Sequence, residues 1–284
     1  MPARIFRDTS LNDILWEQGY VTIPFLEKEV VSSIISKCSP YVPENLNHFF
    51  ATTHSPDLDI RKTVNRIIQE AIQKASEQVF DQALLLGGAY ISKPALGKGI
   101  LELHQDWNIV DEHHHRSFNL WIPLVDTSKK NGAFHALPKS HNREQTLRGP
   151  GISQMFEGMN ESIYPHLTCL NMKAGEALVY DHALWHSSPP NHTDSERPAI
   201  VIGMTEKGAK LTSYFKEGET ISEYDLDEDY FFNEVDITKP TTLRKIRSFE
   251  FENPVLSESK FKSLYINQPS KSWWKSLFES QNNG

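Results

Sequence analysis

The sequence predicts a mainly β fold with flanking helices, a double-stranded β-helix of the jelly-roll or cupin-like kind. Two observations carry the prediction. The apolar period is helical over the first 80 residues and changes to short alternating segments from Leu84 onward. Those segments are broken by turns rich in Gly, Pro and Asn, such as Lys129-Lys130-Asn131-Gly132. Short strands at such spacing close into a barrel or jelly roll rather than a parallel sheet. A chain of 284 residues fits one domain at this architecture. Its parts would be a helical N-terminal region (1–80), a barrel core (about 84–205) and a C-terminal extension (206–284).

In the N-terminal part, Ser10 can cap a helix through Leu11, Ile14 and Leu15 that stops near Gly19. Tyr20 to Ile23 reads as a short strand ended by Pro24. Val30, Val31, Ile34 and Ile35 give Glu27 to Lys37 a helical spacing. A longer helix from Asp59 to Phe80 would place Val64, Ile67, Ile68, Ala71 and Ile72 on one side. The strands expected next are Ala89–Ser92, Gly99–Trp107, Ser117–Val125, Gly132–Leu137, Leu167–Met172, Glu176–Tyr180 and Arg197–Met204. The last 80 residues show no clear period. Asp225 to Asp229 has the carboxylates of a calcium loop but lacks its glycine and its closing glutamate, so a solvated acidic loop is expected. Trp273, Trp274 and Phe278 are expected to dock on the domain.

Composition narrows the function. The formal charge of −8 argues against a nucleic-acid partner, which needs a basic footprint. No run of about 18 apolar residues occurs, and neither end reads as a signal or anchor, so no membrane partner and a cytoplasmic setting are expected. Two cysteines, Cys38 and Cys169, are too few and too far apart for a disulfide framework or a cysteine metal site. Histidine is the unusual residue, twelve in all.

Within Leu101 to Trp107, His104 and Asp106 would share one strand face, because side chains alternate with period two. An imidazole and a carboxylate at i and i+2 can bind one metal ion, and His186 is the strongest candidate for a third ligand. Two histidines and one carboxylate form a facial triad that leaves positions open on iron(II). The same set suits zinc. Arg197, 11 residues further on, begins the apolar strand Pro198 to Gly203. Its planar fork suits a carboxylate such as the distal group of 2-oxoglutarate. A surface salt bridge is the plainer alternative for it.

The blocks Leu15 to Tyr20, His104-Gln105-Asp106-Trp107, Asn119 to Asp126, Asn131-Gly132-Ala133, Leu137 to His141 and Leu184 to Asn191 fall in one order, completed by Arg197. In that order the chain resembles the phytanoyl-CoA dioxygenase family of iron(II)- and 2-oxoglutarate-dependent oxygenases over roughly residues 10–205. Lys139 stands where the family usually has glycine. The resemblance implies His104, Asp106 and His186 as iron ligands and Arg197 and Ser188 as contacts to 2-oxoglutarate. It places Trp121 and Asn119 on the strand lining the co-substrate pocket. Lys93 is a weaker candidate for an anion contact, with a solvated loop lysine as its plain reading. The implied reaction is hydroxylation of a C–H bond in a small molecule by O2, with 2-oxoglutarate converted to succinate and carbon dioxide. Two alternatives stay open: a non-catalytic metabolite-binding member of the same fold, and a zinc-dependent hydrolase.

Among the other histidines, His182 ranks second as the distal ligand. The tract Asp111 to Arg116 reads as a surface turn or pocket rim, and His135 and His141 as structural.

Overall fold

The computed structural model describes residues 4–266; Trp273, Trp274 and Phe278 lie outside the described residues. Three helices open the chain: α1 (Thr9–Gln18), α2 (Lys28–Cys38) and α3 (Leu58–Val79). The cap of α1 is Asp8, not Ser10: the Asp8 carboxylate accepts the Ser10 N–H and hydroxyl, and a carboxylate serves a helix N-terminus better than a hydroxyl does. Gly19 ends α1 in the left-handed region (φ 85°), as its lack of a Cβ allows.

Among the described residues thirteen strands follow or interleave. They are β1 (Tyr20–Pro24), β2 (Phe50–Ala51), β3 (Ala83–Lys93), β4 (Leu101–His104), β5 (Ser117–Pro123), β6 (Phe134–Ala136) and β7 (Thr168–Leu170). The rest are β8 (Glu176–Asp181), β9 (His186–Ser188), β10 (Arg197–Glu206), β11 (Thr212–Glu217), β12 (Thr220–Asp225) and β13 (Lys245–Phe249). A six-stranded sheet runs β1-β8-β5-β10-β3-β2, and a four-stranded sheet runs β4-β9-β6-β7. All their pairings are antiparallel.

Period-two alternation assigns the two faces of the larger sheet. Phe118, Leu120 and Ile122 of β5, Ala177 and Val179 of β8, and Ile200, Ile202 and Met204 of β10 join a core with Val31, Ile34, Val64, Ile68 and Ile72 of α2 and α3. Each Val, Leu, Ile, Phe or Met among them, fully buried, stabilises the fold by about 1.5–3 kcal/mol. The alternate residues, among them Trp121, Leu178, Tyr180 and Ala199, meet Phe134 and Ala136 of the smaller sheet. The two sheets therefore face each other as a jelly roll, with the helices on the outside of the larger sheet.

The C-terminal extension carries structure of its own among the described residues. Strands β11, β12 and β13 form a third sheet, and Leu256 and Phe261 pack with Trp185 behind the smaller sheet. Asp225 ends β12 and accepts bonds from Lys210 and Arg244, so the acidic stretch is anchored by cations at its start. Lys139 adopts φ 69° where glycine is usual, and its Nζ reaches Glu17 at 2.8 Å.

Candidate metal centre and anion pocket

His104 and His186 are directly opposed Cα partners on β4 and β9. Their rings lie 4.2 Å apart between centroids. Strand β4 ends at His104, so Asp106 does not share a continuous strand with it as the sequence suggests. The facing chain turns at Asp181 to Leu184, closed by the Leu184 N–H on the Asp181 carbonyl at 2.9 Å, and the ladder is lost there. The Asp106 N–H bonds the His182 carbonyl at 2.9 Å instead, and Arg148 Nε holds the Asp106 carbonyl at 2.7 Å. The carboxylate still reaches the histidines: Oδ1 lies 3.7 Å from His104 Nε2 and Oδ2 3.8 Å from His186 Nε2. These distances are too long for hydrogen bonds. One ligand atom from each of the three residues lies within 4.8 Å of the others, and no other such cluster occurs among the described residues.

Hydrogen bonds fix the tautomers. His104 Nδ1 lies 2.7 Å from the Glu102 carbonyl, and His186 Nδ1 lies 2.8 Å from the Leu184 carbonyl. A carbonyl only accepts, so each Nδ1 carries the hydrogen and each Nε2 lone pair points to Asp106, the arrangement metal-binding imidazoles use. Burial and the neighbouring His104 lower the pKa of His186 to about 4, keeping it a neutral donor. Burial raises that of Asp106, but His186, His104, His182 and the Tyr180 hydroxyl outweigh it and hold the carboxyl at about 2. Asn119 Nδ2 donates to Asp106 Oδ2 at 2.9 Å and to the Tyr180 hydroxyl at 3.2 Å. Phe134 stacks on His186 at 4.8 Å.

These groups open on a cavity of about 410 Å³ that also takes in Trp121, Ser188 and Arg197. Arg197 is 2% exposed, its Nε and Nη1 have no hydrogen-bond partner, and its guanidinium lies 5.3 Å over the Trp121 ring. A surface salt bridge is therefore ruled out. Burial lowers its pKa to about 10, and a buried cation with orphaned donors calls for an anionic ligand. Lys93 is Arg197's cross-strand partner and is fully buried rather than a solvated loop residue. Its Nζ donates to the Ser188 and Pro189 carbonyls at 2.7 and 2.6 Å, so it ties down the chain beside Arg197. Burial and then the Arg197 charge lower its pKa to about 6. Gly132 makes room here: a Cβ on it would sit 2.4 Å from the Pro189 oxygen and 2.9 Å from Lys93 Cδ. The Ser188 hydroxyl donates to the Gly132 carbonyl at 2.7 Å, which leaves only its lone pairs to the cavity.

His182 lines the cavity, but its Nδ1 is 3.0 Å from Ser117 Oγ and it stands outside the three-residue cluster. His141 is buried with Nε2 3.0 Å from the Trp16 carbonyl, and His135 bonds the Ala133 carbonyl through Nδ1. In the Asp111 to Arg116 turn, His113 and His114 are exposed. Glu112 and Arg116 instead form buried pairs with Arg148 and Asp181. Tyr180 and Arg148 escape sequence reading, since their roles depend on which carboxylate or carbonyl the fold brings to them.

The sequence model of the family described as Phytanoyl-CoA dioxygenase (PhyH) matches residues 17–199. A "Phytanoyl-CoA dioxygenase domain-containing protein 1 homolog" from Dictyostelium discoideum is 26% identical over 139 residues, 45% of this chain and 48% of that protein, so the match spans about half of its length. The non-heme alpha-ketoglutarate-dependent carbocyclase SnoK from nogalamycin biosynthesis superposes with TM-score 0.52 at 18% identity, covering 72% of this chain and 86% of that one. HygX from Streptomyces hygroscopicus, solved with nickel and 2-oxoglutarate bound, gives TM-score 0.51 at 18% identity, covering 71% and 87%. The two structures share the jelly-roll fold with this chain.

Proposed function

The chain belongs to the phytanoyl-CoA dioxygenase family, and from that premise we propose that it is an iron(II)- and 2-oxoglutarate-dependent oxygenase acting on a C–H bond of a small molecule. The observation that carries the reading is Arg197: a buried cation with two unpaired donors, opening on the cavity that holds the His104, Asp106 and His186 donors. A metabolite-binding protein needs no converging donor set beside its anion site. A zinc hydrolase needs a general base but no buried arginine with unpaired donors facing its metal ligands.

In this reading His104, Asp106 and His186 hold iron(II) through two imidazole nitrogens and one carboxylate oxygen, leaving positions for the co-substrate and O2. Bound iron supplies the activation of O2 and of the 2-oxo acid, with succinate and carbon dioxide as co-products. The protein's share is placement. Arg197 holds the distal carboxylate of 2-oxoglutarate, and Trp121 supports the guanidinium face. Lys93, with Gly132 and Ser188, shapes that end of the pocket. Asn119 and Tyr180 fix the orientation of Asp106, and the backbone bonds at Nδ1 fix both imidazoles. Phe134, Trp121 and Val201 keep water from the space between. The test is anaerobic titration of the iron-loaded protein with 2-oxoglutarate, read by the metal-to-ligand absorption band, followed by admission of oxygen. A band, then succinate only with both iron and oxygen, is expected. Absence of any band would sink the reading.

A further inference from the structure

The cavity does not end at the metal-binding donors. On β3 and β10 the inner face runs from the Lys93–Arg197 pair through Ala89–Val201 toward Gly87–Gly203. Those six residue steps span about 20 Å at roughly 3.3 Å per residue. Asn119, which bonds Asp106, is paired with Gly203. The metal donors thus sit toward the glycine end, and the space beyond them, away from Arg197, is free for a second molecule.

The walls of that space are mainly apolar, with Thr53, His54 and Gln105 as polar members of the cavity lining. Leu86, Trp107, Ile109, Phe231, Phe232 and Ile237 line it. The last three come from a segment beyond the stretch that matches the family model. The segment is seated firmly. Phe232 covers Gly87, where a Cβ would meet the ring at 2.2 Å. Arg61 of α3, 2% exposed, donates to the carbonyls of Phe231, Glu234 and Val235 as well as Ser55. Besides Arg197 and Asp106, no Lys, Arg, Asp or Glu lines the cavity among the described residues. An ion entering this end would lose its water and meet, besides those two, only neutral polar groups such as Thr53, Gln105 and His54, whose pKa is lowered by burial and then by Arg61.

We propose that residues 231–237 form the recognition wall for the prime substrate and select a compact, uncharged, mainly hydrocarbon molecule. The inference rests on the oxygenase reading for the position of the co-substrate. A cavity of about 410 Å³ lies near the small end for ligand sites, about 300–1,000 Å³, and it holds two molecules, which favours a compact skeleton.

The test uses three probes of one shape: 1-adamantanol, adamantane-1-carboxylate and 1-adamantylammonium. Each is titrated without oxygen into protein loaded with iron and 2-oxoglutarate, and binding is followed by calorimetry and tryptophan fluorescence. The alcohol is expected to bind about tenfold or more tightly than either ion. Phe232→Ala and Ile237→Ala should each weaken the alcohol by roughly threefold or more and leave 2-oxoglutarate affinity at the wild-type level. An ion binding as well as the alcohol, no probe binding, or wild-type alcohol affinity in both variants would overturn the proposal. So would loss of 2-oxoglutarate from both variants, since the wall would then not be separable from the co-substrate site. Wild-type protein that binds no 2-oxoglutarate would sink the oxygenase reading instead.

Discussion

At the scale of single residues, the anion end of the cavity is where charge decides the outcome. Arg197 is buried with unpaired donors, and removing one partner of a buried charged pair costs about 3–5 kcal/mol. Arg197→Ala is therefore expected to raise the dissociation constant for 2-oxoglutarate by roughly two to three orders of magnitude, at about 1.4 kcal/mol per tenfold. Arg197→Lys should recover part of the loss, because a point charge lacks the planar fork. Iron affinity should not change in either variant; unaltered 2-oxoglutarate affinity in Arg197→Ala would move the distal carboxylate elsewhere. Lys93 gives a pH signature. Its proton is held up to 10.5 in the ordinary case but only to about 6 in the fold, because of burial and then Arg197. Between those values the unfolded chain binds more protons than the native one, so stability should rise with pH across the window. The slope from this group is at most about 1.4 kcal/mol per pH unit. The penalty is greatest below about pH 6, where the folded Lys93 must be charged. Lys93→Met should flatten that rise in urea midpoints collected from about pH 6 to pH 9. An identical slope in the variant would assign the dependence to another group.

At the scale of elements, legibility followed the simplicity of what each element buries. Strands β3, β5, β8 and β10 each separate an apolar outer face under the helices from an inner face toward the cavity, and that alternation is visible in the chain. Strand β9 is three residues, His-Ser-Ser, all buried, too short to show a period; only the chemistry of its histidine marks it in the chain. Strands β11 to β13 show no clear apolar period because their buried positions include polar groups satisfied across strands. Ser222 Oγ meets Ser248 Oγ at 2.8 Å, Thr212 reaches the Tyr224 carbonyl, and Glu223 pairs with Arg247. The end of β4 depended on a turn some 75 residues away in the chain, which no local pattern announces. Arg61 is the parallel case among helices. It lies on the buried stripe of α3 with Val64, Ile68 and Ile72, and its partners, the carbonyls of Phe231, Glu234 and Val235, come from a distant segment. Arg61→Ala would leave those acceptors unpaired at about 1–3 kcal/mol each where water cannot reach them. Faster amide exchange confined to residues 230–240 is the expected result, with α1, β1 and β8 unaffected. Exchange that rises uniformly would mean Arg61 supports the whole fold and not this segment.

At the scale of the whole molecule, the three candidate ligands join two sheets that the fold otherwise ties by packing and by bonds such as that of Lys93 Nζ to the Ser188 carbonyl. His104 and His186 belong to the four-stranded sheet, while Asp106 is bound through Asn119 and its neighbour Tyr180 to the six-stranded one. The three ligand atoms converge at a site between two sheets, where a cation would meet two imidazole nitrogens and the half-buried Asp106 carboxylate. An ion bound there therefore clamps the sheets together, and because the unfolded chain has no assembled site, binding adds directly to folding stability. A ligand at about one hundred times its dissociation constant contributes about 2.7 kcal/mol. For a chain of this size that corresponds to a rise in Tm of roughly 5–10 °C. Iron(II) added under argon to chelator-treated protein should produce a rise of that order in a calorimetric scan, and 2-oxoglutarate should extend it. Arg197→Ala should keep the iron shift and lose the extension, whereas His186→Ala should lose both. If the metal-free and iron-loaded proteins melt together, the three donors do not act as a cross-sheet clamp, and their convergence would have to be explained by packing alone.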